Sequence, residues 1–207
     1  MDTKKRILDE ALTLFSENGY GNVYVGQIAE AVGIKAPSLY KHYKSKQDIF
    51  NAILDEMKNN YDKQAASLNM NGSNAAADAD IFAAVSEDEL VKMGIGLFMY
   101  FTHDDYARKF RKMLTIEQFR DKELAQLFTK QYNDDPLSYQ AALFGALCAG
   151  GTLQTHDADI MALHFYAPIY MLMTIYDREP QREGELMSKL ERHIRQFSRI
   201  YSKEENK

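Results

Sequence analysis

The chain has 207 residues, 45% of them hydrophobic and 27% charged, with a net charge of −5. That length builds a small domain plus one larger one, and the acidic balance excludes a generally basic nucleic-acid binder. The charge is uneven, with 7 Lys/Arg against 6 Asp/Glu in residues 1–50 and 18 against 24 in residues 51–207, so any nucleic-acid footprint is local. The single cysteine, Cys148, excludes an internal disulfide and fits a reducing cytoplasm. The polar start Met1-Asp2-Thr3-Lys4-Lys5-Arg6 lacks the apolar core of a signal peptide, and no run approaches the roughly 18 apolar residues of a membrane-crossing helix.

In chain order, Thr3 to Asn18 reads as an amphipathic helix with Ile7, Ala11, Leu14 and Phe15 at helical spacing. Lys4, Lys5 and Arg6 stand at its start, against the helix dipole, either as phosphate contacts or as a solvated leader. Gln27 to Val32 reads as a short helix with Ile28, Ala29 and Val32 on one face, closed by Gly33 as a left-handed cap. A second short helix starts at Ala36-Pro37-Ser38, where proline suits the first turn. Only Leu39 and Tyr43 look inward on it. Lys35, Ser38, Tyr40, Lys41, His42, Lys44 and Lys46 are polar or amphipathic, and no acid lies between Glu30 and Asp48. A short helix with donors on its outer face suits the major groove of DNA.

Lys46 to about Leu68 reads as one longer helix that leads out of this region. Residues 69–80, rich in Asn, Ala, Gly and Ser, read as a loop or mobile link whose Ala-rich half is equally a helical turn. Ser86 and Glu89 form a capping-box pattern ahead of an apolar helix from Leu90. Asp104 or Asp105 caps a helix to about Phe119, Asp121 caps another to about Tyr132, and Asp135-Pro136 opens a helix to about Cys148, closed by Gly150-Gly151. Asp157 caps a long apolar helix to about Tyr176, and residues 183–202 give the last one. No stretch alternates as a strand would, so the chain is expected to be all-α.

Residues 3 to 54 resemble the DNA-binding domain of the TetR family of bacterial repressors. The positions that carry the resemblance are Thr3, Ile7, Ala11, Leu14-Phe15, Gly19-Tyr20, Ile28-Ala29, Val32-Gly33-Ile34, Leu39-Tyr40, His42-Tyr43, Ser45-Lys46 and Ile49-Phe50. The family often has Thr-Thr where this chain has Tyr24-Val25, so a hydroxyl that would cap the first motif helix and touch a phosphate is absent. The resemblance implies a three-helix helix-turn-helix head in residues 1–46, a connecting helix over 47–68, and a larger helical ligand-binding and dimerisation domain over 69–207. It assigns DNA contacts to Tyr24, Val25, Lys35, Ala36, Pro37, Ser38, Tyr40, Lys41, His42, Lys44 and Lys46. Of these, Ser38, Lys41 and the stretch 35–37 fall where base edges lie, and Tyr40, His42 and Lys46 fall nearer phosphates.

Met and aromatic residues are dense in the larger domain and suit either a helical core or a pocket for a greasy ligand. The family usually senses small molecules there, which points to Met93, Phe98, Phe101, His103, Met113, Gln118, Tyr139, Phe144, Phe165, Tyr166 and Tyr170. His103, Gln118, Tyr139 and His164 are candidates to orient such a ligand. The helix near 160–176 is apolar on more than one face and is expected, with the last helix, to seat a second copy. His103-Asp104-Asp105 and His156-Asp157-x-Asp159 lack metal-ligand spacing and read as caps beside surface histidines. Cys148 is either a thiol sensor or ordinary packing. No nucleophile motif, phosphate loop or dinucleotide fingerprint is present, so no catalytic residue, metal or cofactor is assigned. The expectation is a cytoplasmic homodimeric regulator of a near-palindromic duplex, released by a small hydrophobic or aromatic effector. Its rivals are a helical ligand-binding protein or enzyme that keeps the head, and a regulator controlled by a protein partner.

Overall fold

The computed structural model describes residues 2–67, 70–72 and 74–203. Among these the regular secondary structure is helical, apart from one isolated antiparallel bridge between Leu153 and Ser202. The helices are α1 (Thr3–Asn18), α2 (Val25–Val32), α3 (Ala36–Leu39), α4 (Lys46–Ser67), α5 (Ala75–Ala84), α6 (Glu87–His103), α7 (Asp105–Glu117), α8 (Lys122–Thr129), α9 (Asp135–Ala149), α10 (Ala158–Arg178) and α11 (Glu183–Tyr201).

The starts of most helices follow the side-chain caps. Asp104 accepts the Ala107 N–H, Asp121 accepts those of Glu123 and Leu124, and Asp157 accepts those of Asp159 and Ile160. Ser86 and Glu89 exchange hydrogen bonds in both directions, as the capping box requires. Ser45 and Asp48 do the same work for α4, where the Ser45 hydroxyl accepts the Asp48 N–H and the Asp48 carboxylate accepts the Lys44 N–H.

Three local readings of the sequence are resolved or corrected by the structure. Of the two readings open for the Ala-rich half of the expected link, the helical one holds and extends to a full helix over 75–84, because Asn74 caps it at the Ala77 N–H and its alanines have the best helical propensity; residue 68 of the expected connecting helix and residues 69 and 73 of the expected link lie outside the described residues. Asp135 is not an N-cap ahead of a fresh helix. A single π-helical turn, Lys130–Asp134, carries α8 into α9, and it lies where Pro136 interrupts the regular i to i−4 ladder. Third, α10 is long and apolar enough to cross a membrane by length and composition, although 28% of its most apolar stretch is buried inside the protein. It carries Pro168 within its length, and its inward side chains belong to both hydrophobic clusters of its unit.

The chain divides into two compact units. Unit 1 comprises Met1–Tyr61 and Asp104–Thr129, and unit 2 comprises Asp62–His103 and Lys130–Lys207. By packing, therefore, residues 104–129 group with the first four helices and not with the rest of the expected larger domain. The reason is that α7 lies on α1: Ala107, Phe110, Met113 and Leu114 are wholly buried, as are Ile7, Ala11 and Phe15 of α1. In unit 2, Leu143, Phe144 and Leu147 of α9 join Met161 and Ala162 of α10 and Phe197 and Tyr201 of α11 in one cluster. Val91 and Phe98 of α6 join Ile169, Leu172 and Met173 of α10 and Leu186, Leu190 and Ile194 of α11 in the other.

Candidate nucleic-acid interface

α2 begins two residues earlier than the hydrophobic pattern suggests. Gln27 supplies the cap that Tyr24 cannot, its side-chain oxygen accepting the Tyr24 N–H at 2.8 Å. Ile28, Ala29 and Val32 are buried, and Gly33 turns the chain at φ +76°, where only a residue without Cβ is unstrained. Its N–H returns to Glu30 O and the Ile34 N–H to Ala29 O, which closes the helix end. α3 is one turn of α-helix with Pro37 in its first turn, and tighter bonds prolong the winding from Lys41 N–H to Ser38 O and from His42 N–H to Leu39 O. Leu39 and Tyr43 face inward as the sequence requires, with Leu39 wholly buried.

The outer face of this motif is polar and cationic. Lys35, Pro37, Tyr40, Lys41, His42 and Lys44 are exposed, Ala36 and Ser38 are half-buried, and Tyr24 and Tyr40 stand out at 72% and 51% exposure. Val25 is half-buried at the start of α2. No ion pair ties down Lys35, Lys41 or Lys44 among the described residues, so these three charges face solvent and can displace counterions from a phosphate backbone.

Lys46 stands apart from the other assigned contacts. Its ammonium donates to Tyr20 O at 2.8 Å and to Val23 O at 3.0 Å, and it lies 4.3 Å from the Tyr20 ring centroid. Burial holds its pKa below the ordinary lysine value, opposed by the negative charge of Glu117. The basic leader of α1 is engaged as well. Lys5 pairs with Glu56 and Asp9, Arg6 donates to Val32 O, and the Lys4 ammonium sits 5.4 Å from the Tyr43 ring centroid.

The ligand candidates do not gather in one place. Phe144, Phe165 and Tyr139 belong to the α9–α10–α11 cluster, and Phe98, Phe101 and Tyr170, again with Phe165, to the α6–α10–α11 cluster. Met113 and Gln118 belong to α7 and its end, in unit 1, where Met113 is wholly buried and Gln118 donates to Thr115 O. Met93 is half-buried on α6, and Tyr166 donates to Tyr132 O at 3.0 Å. The polar candidates already have protein partners. Tyr139 donates to Asp78, His103 contacts Tyr176 at 3.2 Å and Glu183 at 3.1 Å, and His164 meets the Tyr201 hydroxyl at 3.0 Å. A cleft of about 210 Å³ lies in unit 1, lined by Tyr20, Phe50, Leu54, Leu124, Leu127 and polar neighbours, and contains none of these candidates. Cys148 is half-buried, with its thiol against Gln154 O at 3.1 Å. Among the described residues no three His, Cys, Asp or Glu side chains converge as a metal site.

Residues 7–53 match the sequence pattern of the bacterial regulatory proteins of the tetR family. A curated relative, the biofilm operon icaADBC HTH-type negative transcriptional regulator IcaR of Staphylococcus epidermidis, is 40% identical over 67 residues, which span 28% of this chain and 36% of that protein. The shared sequence thus covers little more than a third of the relative's length. Two solved structures align over nearly the whole chain. A TetR-family transcriptional regulator from Mesorhizobium loti superposes with a TM-score of 0.67 at 18% identity, covering 97% of each chain. A complex of SmeT, the repressor of the Stenotrophomonas maltophilia multidrug efflux pump SmeDEF, with triclosan superposes with a TM-score of 0.67 at 20% identity, covering 99% of this chain and 93% of that one. The fold is shared over the full length, whereas the sequence likeness is concentrated at the helix-turn-helix. It is this N-terminal helix-turn-helix domain, residues 7–53, that is similar to the tetR family of bacterial regulatory proteins.

Proposed function

We propose that the protein is a sequence-specific transcription regulator of the cytoplasm that binds a near-palindromic duplex as a homodimer. The observation that carries this reading is the outer face of residues 35–44, exposed, cationic and free of acids on a body of net negative charge. An enzyme or a bare ligand carrier has no use for such a face, whereas a major groove accepts it. In this reading Ser38, Lys41 and the 35–37 stretch meet base edges, and Tyr24, Val25, Tyr40, His42 and Lys44 meet the backbone. The two heads of a dimer would occupy successive major grooves, about 34–36 Å apart or a multiple of that. Genome-wide binding followed by motif discovery tests it. Two-fold symmetric bound sites are expected, and sites without that symmetry would overturn the homodimer reading.

A small hydrophobic or aromatic effector in unit 2 is the second part of the proposal. The support is the aromatic and Met content of its two clusters, together with triclosan bound to SmeT, a protein of the same fold. The lining would come from Met93, Phe98, Phe101, Tyr139, Phe144, Phe165, Tyr166 and Tyr170, with His103 oriented by Tyr176 and Glu183. Occupancy would lower DNA affinity only if the effector distinguishes two conformations of the protein. Linkage then requires that DNA weaken effector binding by the same factor. A thermal-shift screen followed by DNA titrations with each hit checks both halves. A hit that leaves DNA affinity unchanged would remove the switch from the proposal.

A further inference from the structure

The turn from α1 to α2 is gripped from two other helices. From α4, the Lys46 ammonium holds the carbonyl oxygens of Tyr20 and Val23 and lies over the Tyr20 ring. That ring is itself wedged between Phe15 and Phe50, with centroids 5.1 and 5.0 Å away. From the end of α7, Glu117, 3% exposed, accepts the Gly21 N–H at 3.4 Å. Gly19 makes the approach of that carboxylate possible. It sits at φ +84°, and a Cβ there would come within 2.4 Å of Glu117 Oε1. Carbonyls of the turn thus face a cation and one of its N–H groups faces an anion, with both charges drawn from outside the motif. Charge-assisted bonds of this kind are the stronger class, and leaving the half-buried Lys46 ammonium or the buried Glu117 carboxylate without its backbone partner is costly.

We infer that Lys46 and Glu117 are a pair of positioning residues that fix how α2, and with it the α2–α3 motif, leaves α1. The inference rests on the DNA-binding reading above for its functional consequence. Val23, the last residue of the turn, is 1% exposed and is followed directly by the capped start of α2, so a shift of the turn is transmitted to the motif. Glu117 has no surface from which to meet DNA, and any effect of it on DNA binding passes through the turn.

The test compares wild type with Lys46→Arg, Lys46→Met and Glu117→Gln. Binding is titrated against salt on two duplexes of equal length: one selected by the wild-type protein from a random pool, and one of mixed sequence. Lys46→Met and Glu117→Gln are expected to lower affinity for the selected duplex roughly tenfold or more, to leave the mixed-sequence affinity in place, and to keep the salt slope. Lys46→Arg, which keeps a cation at the two carbonyls, is expected to recover most of the loss. Glu117→Gln is the sharpest arm, because removing a negative charge would by electrostatics alone tighten DNA binding. A Lys46→Met protein that loses affinity on both duplexes alike, with a slope reduced by about one, would make Lys46 a phosphate contact and overturn the inference. A second arm needs no DNA. Hydrogen exchange at the Gly21 amide, referenced to amides of unit 2 in the same sample, is expected to quicken in Glu117→Gln and Lys46→Met. Unchanged exchange overturns the clamp. A wild-type protein that selects no duplex would instead defeat the functional reading, while the exchange arm still decides the clamp.

Discussion

The Asp78 carboxylate of α5, 1% exposed, accepts the Tyr139 hydroxyl of α9 at 2.7 Å. The same carboxylate accepts the N–H groups of Asn71 at 2.7 Å and Gly72 at 2.9 Å, so one buried acid ties the approach to α5 to the middle of unit 2. Tyr139→Phe leaves Asp78 its two backbone donors and is expected to cost about 1–2 kcal/mol of stability. Asp78→Ala strips all three donors of their acceptor and is expected to cost about 3 kcal/mol or more. Urea unfolding of the two variants checks the order. A larger cost for Tyr139→Phe would mean that the phenol, and not the carboxylate, anchors this segment.

The exposed face of α10 is expected to seat a second copy. Ile160, Leu163 and Met171 are 57%, 50% and 54% exposed, and with Ala167 their spacing of three or four residues places them along one side of the helix. Leu163→Glu sets like charges near one another across a two-fold axis and is expected to give a folded monomer at micromolar concentration. Sedimentation velocity reads the mass and circular dichroism the fold. A Leu163→Glu protein that stays dimeric places the interface elsewhere.

Lys35, Lys41 and Lys44 make a different prediction from Lys46. Each is exposed and unpaired, so each alanine variant that removes a phosphate contact is expected to reduce the salt slope of DNA binding by about one. Lys41→Ala is further expected to relax the preference at one base position, because its place in the motif faces base edges. Fluorescence anisotropy over a salt series, with single-base variants of the selected duplex, separates the two effects. A Lys44→Ala protein with altered base preference and a Lys41→Ala protein without it would reverse the assignment.

Acid should weaken unit 2 through His193. Its Nε2 hydrogen-bonds Phe165 O at 2.8 Å, its ring lies 6.3 Å from that of His164, and burial lowers its pKa below the ordinary value of 6.5. A base whose folded pKa is depressed takes up its proton more readily in the unfolded chain. Its contribution is therefore present above pH 6.5 and is lost as pH falls from there through the folded value. Thermal melts from pH 7.5 to 5 should decline more steeply for the wild type than for His193→Gln. Equal slopes would assign the acid sensitivity to other groups.

Much of the architecture was legible because it is written in local terms. Caps at Asp104, Asp121 and Asp157 and the box at Ser86 and Glu89 are short-range hydrogen bonds, so their residue spacing sets where those helices start. The helix-turn-helix was equally plain, since Gly33, Pro37, Leu39 and Tyr43 each answer a requirement of the turn or the packed face. Helix 75–84 was less plain, because alanine favours a helix without marking its ends and the cap at Asn74 sits in a stretch that otherwise reads as loop.

The sequence by itself determined the helical periodicity, the caps and the exposed, acid-free outer face of residues 35–44, because each depends on residues within about one helical turn of one another. Only the tertiary structure decided which long-range partner each charge and each aromatic ring took. Lys46 has the composition of a phosphate contact, yet carbonyls 26 and 23 residues away hold its ammonium. Met113 reads as pocket lining, yet α7 carries it into unit 1 against α1. Tyr139 and His103 read as ligand donors, yet Asp78 and Glu183 meet them first. A side chain fixes which bonds are available to it, and the packing of helices distant in sequence fixes which of them is made.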